Sequence, residues 1–158
     1  MSMSIEDREK IAKAFQSAMP AVAQLVHLYT TEASAPERFF LGVYDAADGG
    51  ANWLAGGEPE ARAIAEHEIR VAEWVNDHAA IGRKKVRAAL RTGRSTGDVA
   101  RAGESFLEDE VPYPGGCVAE VGGQSVVVST SGLRGNEDEV FSLLLIQLLQ
   151  RALTPPAA

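Results

Sequence analysis

The residue types able to do chemistry are few in this chain and fall into small groups. Histidine occurs three times, at His27, His67 and His78. Glu66-His67-Glu68 has the donor types of a metal cluster, but adjacent residues on a helix point about 100° apart and cannot all close on one ion. A further donor from His78 would need the chain to fold back, so no metal site is expected. His27 lies beside the apolar stripe of the first predicted helix and reads as a core-edge or surface residue. Cys117 is the single cysteine; it has no histidine near it in sequence and sits in an apolar run, where a thiol behaves as a small hydrophobe.

The richest stretch runs from Pro112 to Leu149. Gly115-Gly116 leads into Cys117, Gly122-Gly123 splits two apolar runs, and Ser131-Gly132 precedes Asn136-Glu137-Asp138-Glu139. Free amides at residues 135–137, together with these glycines, form a cradle of the kind that holds anions. The adjacent acids oppose one, so a carboxylate-bearing ligand would need Arg134 or Lys85 nearby. The acids also have a structural explanation: Asn136 as N-cap, Glu139 completing a capping box, and negative charge at the positive end of a helix. Lys85 and Asp138 are the acid or base available to a reaction here, and the sequence shows nothing that activates either, which argues against an enzyme.

The elements that position this corner follow from periodicity. Ile11, Phe15, Ala18, Val22, Leu25 and Tyr29 recur at spacings of three and four, predicting a helix over about 5–31 with a kink or restart between Ser17 and Pro20. Arg38 to Tyr44 is apolar on both alternating faces, as a strand covered on two sides should be. Asp45 to Gly50 is turn chemistry, and Asn52 to Ala55 is the expected return strand. Ala61, Ile64, Ala65, Val71, Ala72 and Val75 share a helical stripe behind Pro59. A second helical block covers Ala79 to Leu90 and closes at Gly93, and Asp98 to Glu108 reads as a further helix. Cys117–Val121 and Gln124–Thr130 pair around Gly122-Gly123, with Cys117, Ala119, Val121, Val126 and Val128 on one face and Ser125 and Ser129 on the other. The last helix, from Asn136, is apolar almost all round, so more than one of its faces must be covered. This order of elements reads as α/β with a largely antiparallel sheet covered by helices.

At 158 residues and 46% apolar composition the chain supports one ordinary core. We read residues 1–158 as a single domain, with an N-terminal helical segment over 1–35, a core over 36–152 and a frayed tail over 153–158. A net charge of −7 argues against a nucleic-acid partner, and the short basic run Arg83-Lys84-Lys85-Val86-Arg87, extended by Arg91 and Arg94, reads as a solvated helix face. The N-terminus has no apolar run behind it and no stretch approaches the roughly 18 apolar residues of a span, so neither secretion nor a membrane is expected. With one cysteine there is no intramolecular disulfide, and a reducing cytoplasm fits best.

Three motifs carry a resemblance. Arg83-Lys84-Lys85 through Leu90-Arg91 to Gly93-Arg94-Ser95-Thr96, then Tyr113-Pro114-Gly115-Gly116-Cys117, then Ser131-Gly132-Leu133 with Glu137-Asp138, together resemble the GlcG/HbpS group of the heme-degrading-domain superfamily, in particular its small cytosolic branch. The resemblance spans about Arg38 to Leu149. It implies an α+β, profilin-like layout with roughly five antiparallel strands flanked by helices, and a homo-oligomer. It also implies that Lys85, Gly115, Gly116, Ser131, Gly132 and Asp138 line a ligand site, with haem or a related tetrapyrrole the nominal ligand. The pattern departs from the group at Ile81, where a tryptophan is usual, and at Glu139, where a histidine often stands; the second departure removes a metal or haem ligand from the corner. No covalent haem is expected, since Cys117 lies outside any Cys-x-x-Cys-His run. Two readings follow: an oligomeric small-ligand-binding protein, or an assembly module that presents protein-binding surface and takes no ligand.

Overall fold

Apolar residues on both faces of one strand set up three layers. In β1 (Arg38–Asp45), Phe39, Leu41 and Val43 point to one side and Phe40 and Tyr44 to the other, and all are buried. The structure is a computed structural model that describes residues 3–30, 38–47, 59–70, 77–133 and 135–154. On the first side α1 (Ile5–Thr30) and α4 (Gly135–Leu153) pack Ile11, Phe15, Val22, Phe141, Leu145 and Leu149 against the sheet. On the second, α2 (His78–Thr92) packs Val86, Ala89 and Leu90 against Phe40, Tyr44 and Val127. Each buried Val, Leu, Ile or Phe among them contributes about 1.5–3 kcal/mol by leaving water.

The sheet is antiparallel, in the order β2, β1, β4, β3, with β2 at Ala63–Arg70, β3 at Gly116–Val121 and β4 at Gln124–Ser131. The resemblance implies roughly five strands; the described residues form four. The return strand expected at Asn52–Ala55 lies outside the described residues, as do Val71, Ala72 and Val75. The helix expected behind Pro59 is instead a short 3-10 turn, Pro59–Arg62, followed by β2. Ala and Glu favour helix in isolation, but β1 offers an edge whose amides and carbonyls need partners, and pairing from Arg38↔Arg70 to Tyr44↔Ala63 supplies them. Glu66 then locks the strand to the layer above, accepting from Tyr44 Oη at 3.0 Å and Arg83 Nε at 2.9 Å.

α1 runs unbroken through Pro20, whose exposed position puts the carbonyl it leaves unbonded within reach of water. The β3–β4 hairpin has the register read from its glycine pair: Cys117 faces Val128, Ala119 faces Val126 and Val121 faces Gln124. α2 begins at Asp77, whose side chain accepts from the Ala80 amide, and ends at Gly93 in the left-handed conformation. The helix expected over Asp98–Glu108 is shorter, ending as α3 (Thr96–Arg101). Gly103 turns the chain there with φ 71°, and the Glu104 amide returns to the Val99 carbonyl, a closure that terminates helices. The arginines of α2 and its C-terminal turn are engaged by carboxylates: Arg83 by Glu66, Arg87 by Asp109, Arg91 by Glu110 and Arg94 by Glu104. No helix among the described residues is long and apolar enough to cross a membrane.

Candidate functional site

Helical spacing places Gly82, Lys85 and Ala89 on the face of α2 that meets the sheet, so the Lys85 ammonium is carried inward rather than to solvent. Lys85 is 1% exposed and Asp138, on the first turn of α4, 3%. Lys85 Nζ donates to Asp138 Oδ2 at 2.9 Å and to the Thr130 carbonyl at 2.8 Å. The other carboxylate oxygen, Asp138 Oδ1, accepts from the Leu133 amide at 2.9 Å. Asp138 thus fills the role expected of Glu139, capping amides at the start of α4. Glu139 is drawn away by Arg101 of α3, at 3.1 Å. The helix also begins one residue earlier than expected, at Gly135, which puts Asn136 in its exposed first turn rather than at the cap.

The glycine pair serves close packing. Gly115 has φ 129°, and an alanine methyl there would stand 2.8 Å from the Thr130 carbonyl oxygen and 2.9 Å from Lys85 Nζ. At Gly116 the same methyl would be 2.9 Å from the Lys85 carbonyl oxygen. The two residues let the Lys85 backbone and stem pass behind β3.

Three buried hydroxyls that the sequence reading missed complete the corner. Thr130 Oγ1 donates to the Asp138 carbonyl and meets Ser142 Oγ at 2.8 Å, while Ser142 Oγ bonds the Gly115 carbonyl at 2.6 Å. Thr96 Oγ1 donates to the Tyr113 carbonyl and accepts from the Gly116 amide. The signal for Ser142 was present, a lone polar residue in the inward stripe of an apolar helix; Thr96 closed the first resemblance motif without a role assigned to it, and Thr130 gave no signal.

Beside the ion pair lies a cavity of about 270 Å³. Ile81, Leu133 and Tyr113 give it apolar walls, and His78, Ser131, Lys85 and Asp138 supply its polar groups. Of the six expected site positions, Lys85, Ser131 and Asp138 border this space. Gly115 and Gly116 lie against Lys85, and Gly132 links Ser131 to Leu133 and turns its amide toward Asp138. Ser131 Oγ is 3.4 Å from Nδ1 of His78, a histidine that sequence reasoning did not connect to the corner. Arg134 lies outside the described residues. A second cavity, about 310 Å³, runs between the end of α2 and the hairpin, lined by Ala89, Leu90, Val118 and Val126 among others, with Glu120 as its charged group.

Burial dominates the electrostatics of the pair. It pushes the Asp138 carboxyl up to about 6, against the opposing pull of Lys85 and of the Leu133 and Gly132 amides. It lowers Lys85 from the ordinary lysine range, with Asp138 pulling the other way. Both changes favour neutral forms, so this pair can take up a proton near neutrality where an exposed Lys–Asp pair does not. Cys117 is 2% exposed, and burial followed by the Glu139 charge pushes its thiol up to about 11, the state of an inert core thiol. Elsewhere His67 is exposed on β2 while the Glu66 carboxylate is held by Tyr44 and Arg83. Among the described residues no group of three or more His, Cys, Asp or Glu is placed to hold a metal ion.

No protein-family model and no curated protein sequence matches the chain. Solved structures do. Protein ORFY of Klebsiella pneumoniae, described as family DUF336, superposes with a TM-score of 0.52 at 16% identity, over 97% of this chain and 91% of that one. A double mutant of HbpS from Streptomyces reticuli superposes with a TM-score of 0.56 at 14% identity, over 94% and 88%. A PduOC:haem complex gives 0.50 at 16% identity, over 94% and 95%. Helices on both faces of an antiparallel sheet, with the corner motifs at the end of β4, therefore give this chain the fold of the HbpS and DUF336 structures.

Proposed function

We propose that this chain is a small-ligand-binding protein akin to the GlcG/HbpS-like group, and that its ligand occupies the cavity beside Lys85 and Asp138. One observation carries this reading: a buried ion pair borders a cavity whose other walls are largely apolar, the combination that ligand sites use for orientation and affinity. The volume lies just below the range of about 300–1,000 Å³ that encloses drug-sized ligands, which points to a smaller molecule. Haem enters because the PduOC structure is a haem complex. The cavity does not enclose a tetrapyrrole macrocycle, and its donors suit a carboxylate better than iron, since His78 is the one histidine on its wall and already meets Ser131. Haemin is nonetheless the direct probe, because its propionates present the group that Lys85 would bind. Titration should give a saturable Soret change at one site per chain, abolished by Lys85→Ala and by the cavity-filling Leu133→Trp. Non-saturable uptake, or saturable uptake indifferent to both variants, rules the corner out as the site.

The rival reading, an assembly module, draws on the outer face of α4, where Val140 and Leu143 are 62% and 50% exposed, one helical turn apart. A homo-oligomer that covers them is compatible with ligand binding. Light scattering should then show a multimer that Val140→Lys with Leu143→Lys breaks down, and a wild-type monomer refutes it. The lone, buried Cys117 suits a reducing cytoplasm.

A further inference from the structure

We infer that the corner cavity selects a compact monocarboxylate with an apolar body, and that its binding is coupled to uptake of one proton by Asp138. The inference rests on the small-ligand reading above and names the ligand class of that site. An ammonium has three N–H donors, and Lys85 has two acceptors among the described residues, Asp138 Oδ2 and the Thr130 carbonyl. The third donor has no acceptor there, on a side chain 99% buried that borders the cavity. A buried donor without an acceptor is unfavourable, the more so when charged, and a ligand oxygen recovers that cost.

An arriving carboxylate would place two anions on one buried ammonium, where two neighbouring carboxyl groups do not both stay ionised. Asp138 is the one that yields. Its carboxyl is already pushed up to about 6 by burial, and it keeps its hydrogen bond from Leu133 whether or not Oδ2 carries a proton. The site then holds one positive and one negative charge both before and after binding: Lys85 with Asp138 first, Lys85 with the ligand afterwards. The one bond formed is the O–H of Asp138, whose proton comes from solvent or buffer; the ligand itself is unchanged. Ile81, Leu133 and the Tyr113 ring are left to enclose an apolar body of modest size.

Other titratable or charged groups sit on the elements packed around the pair. These are His78 on α2, Tyr113 ahead of β3, Cys117 on β3, and Glu137 and Glu139 on α4, the last held by Arg101. Cys117 titrates well above the relevant window. His78 is the group to control for.

Benzoate and its neutral isostere benzamide test the inference by calorimetry on the full chain, in two buffers of different ionisation enthalpy. Benzoate is expected to bind with uptake approaching one proton per ligand above about pH 7, its affinity falling about tenfold per pH unit from there upward, with benzamide at least tenfold weaker at pH 6. His78→Gln should keep that slope. Asp138→Asn, which imitates the protonated acid, should abolish both the slope and the proton uptake; if it does not fold, the wild-type buffer comparison decides alone. Equal affinity for the acid and the amide, or benzoate binding without proton uptake, overturns the inference. Failure of benzoate to bind also overturns it, while the small-ligand reading falls with it only if haemin fails as well.

Discussion

Replacing Lys85 by methionine removes the ammonium and keeps most of the stem that threads behind Gly115 and Gly116, so it isolates the charge. Two effects follow. The Thr130 carbonyl loses a donor, a loss of about 1 kcal/mol that does not depend on pH. Asp138 loses its countercharge and can be accommodated only by taking a proton, whose cost relative to the unfolded chain grows by about 1.4 kcal/mol for every pH unit above the ordinary carboxylate value. At about pH 7.5 that cost is capped near 5 kcal/mol. The wild type already bears part of it, because a carboxyl raised to about 6 in the folded state has a stability contribution that is complete below the unfolded value and is lost as pH rises through 6. That share is about 3 kcal/mol, which leaves about 2 for the variant to lose. The total at pH 7.5 is therefore about 3 kcal/mol, at the lower end of what breaking buried pairs costs. At pH 5 Asp138 holds its proton in both proteins and the difference shrinks to about 1 kcal/mol. Urea unfolding followed by circular dichroism at the two pH values measures this directly, and Lys85→Met with Asp138→Asn should cost the same at both. A loss from Lys85→Met that is equal at pH 5 and 7.5 would refute the argument that the buried charge of Asp138 sets the energetics of the corner.

Gly115→Ala, at φ 129° and with its methyl 2.8 Å from the Thr130 oxygen, should cost at least about 2 kcal/mol, whereas Gly93→Ala, with positive φ but open space around it, should cost only about 1 kcal/mol; thermal melts of the two compare strain with and without a clash. Cys117 should resist iodoacetamide at pH 8 in the folded protein and react on unfolding, as followed by mass spectrometry; fast labelling of the native chain would contradict a thiol that is buried and pushed up to about 11.

The parts of the fold legible in the sequence are those fixed by local chemistry. Gly122-Gly123 sets a two-residue turn and hence the register of β3 against β4, and Gly93 ends α2 where the apolar period stops. Residues 63–70 were not legible. Alanine and glutamate there favour a helix over short range, and the preference is overruled by the edge of β1, a partner distant in sequence. The candidate site divides along the same line. Its glycines and serine mark the corner in sequence, but the pairing of Lys85 with Asp138, 53 residues apart, leaves no local trace. The glycine pair was a sign of close backbone approach that could be read equally as an anion cradle. Glu139 was the better capping candidate by spacing, and only the position of Arg101 on α3 shows why Asp138 takes that role.

The central claim is that the space beside Lys85 and Asp138 receives the ligand, and amide chemical-shift mapping during a benzoate titration at pH 6 tests it most directly. The account predicts saturable shifts confined to the neighbourhood of Ile81, Lys85, Tyr113 to Gly116, Ser131 to Leu133 and Asp138. Shifts centred instead on Ala89, Leu90, Val118 and Val126, or no saturable shifts at all, would contradict it.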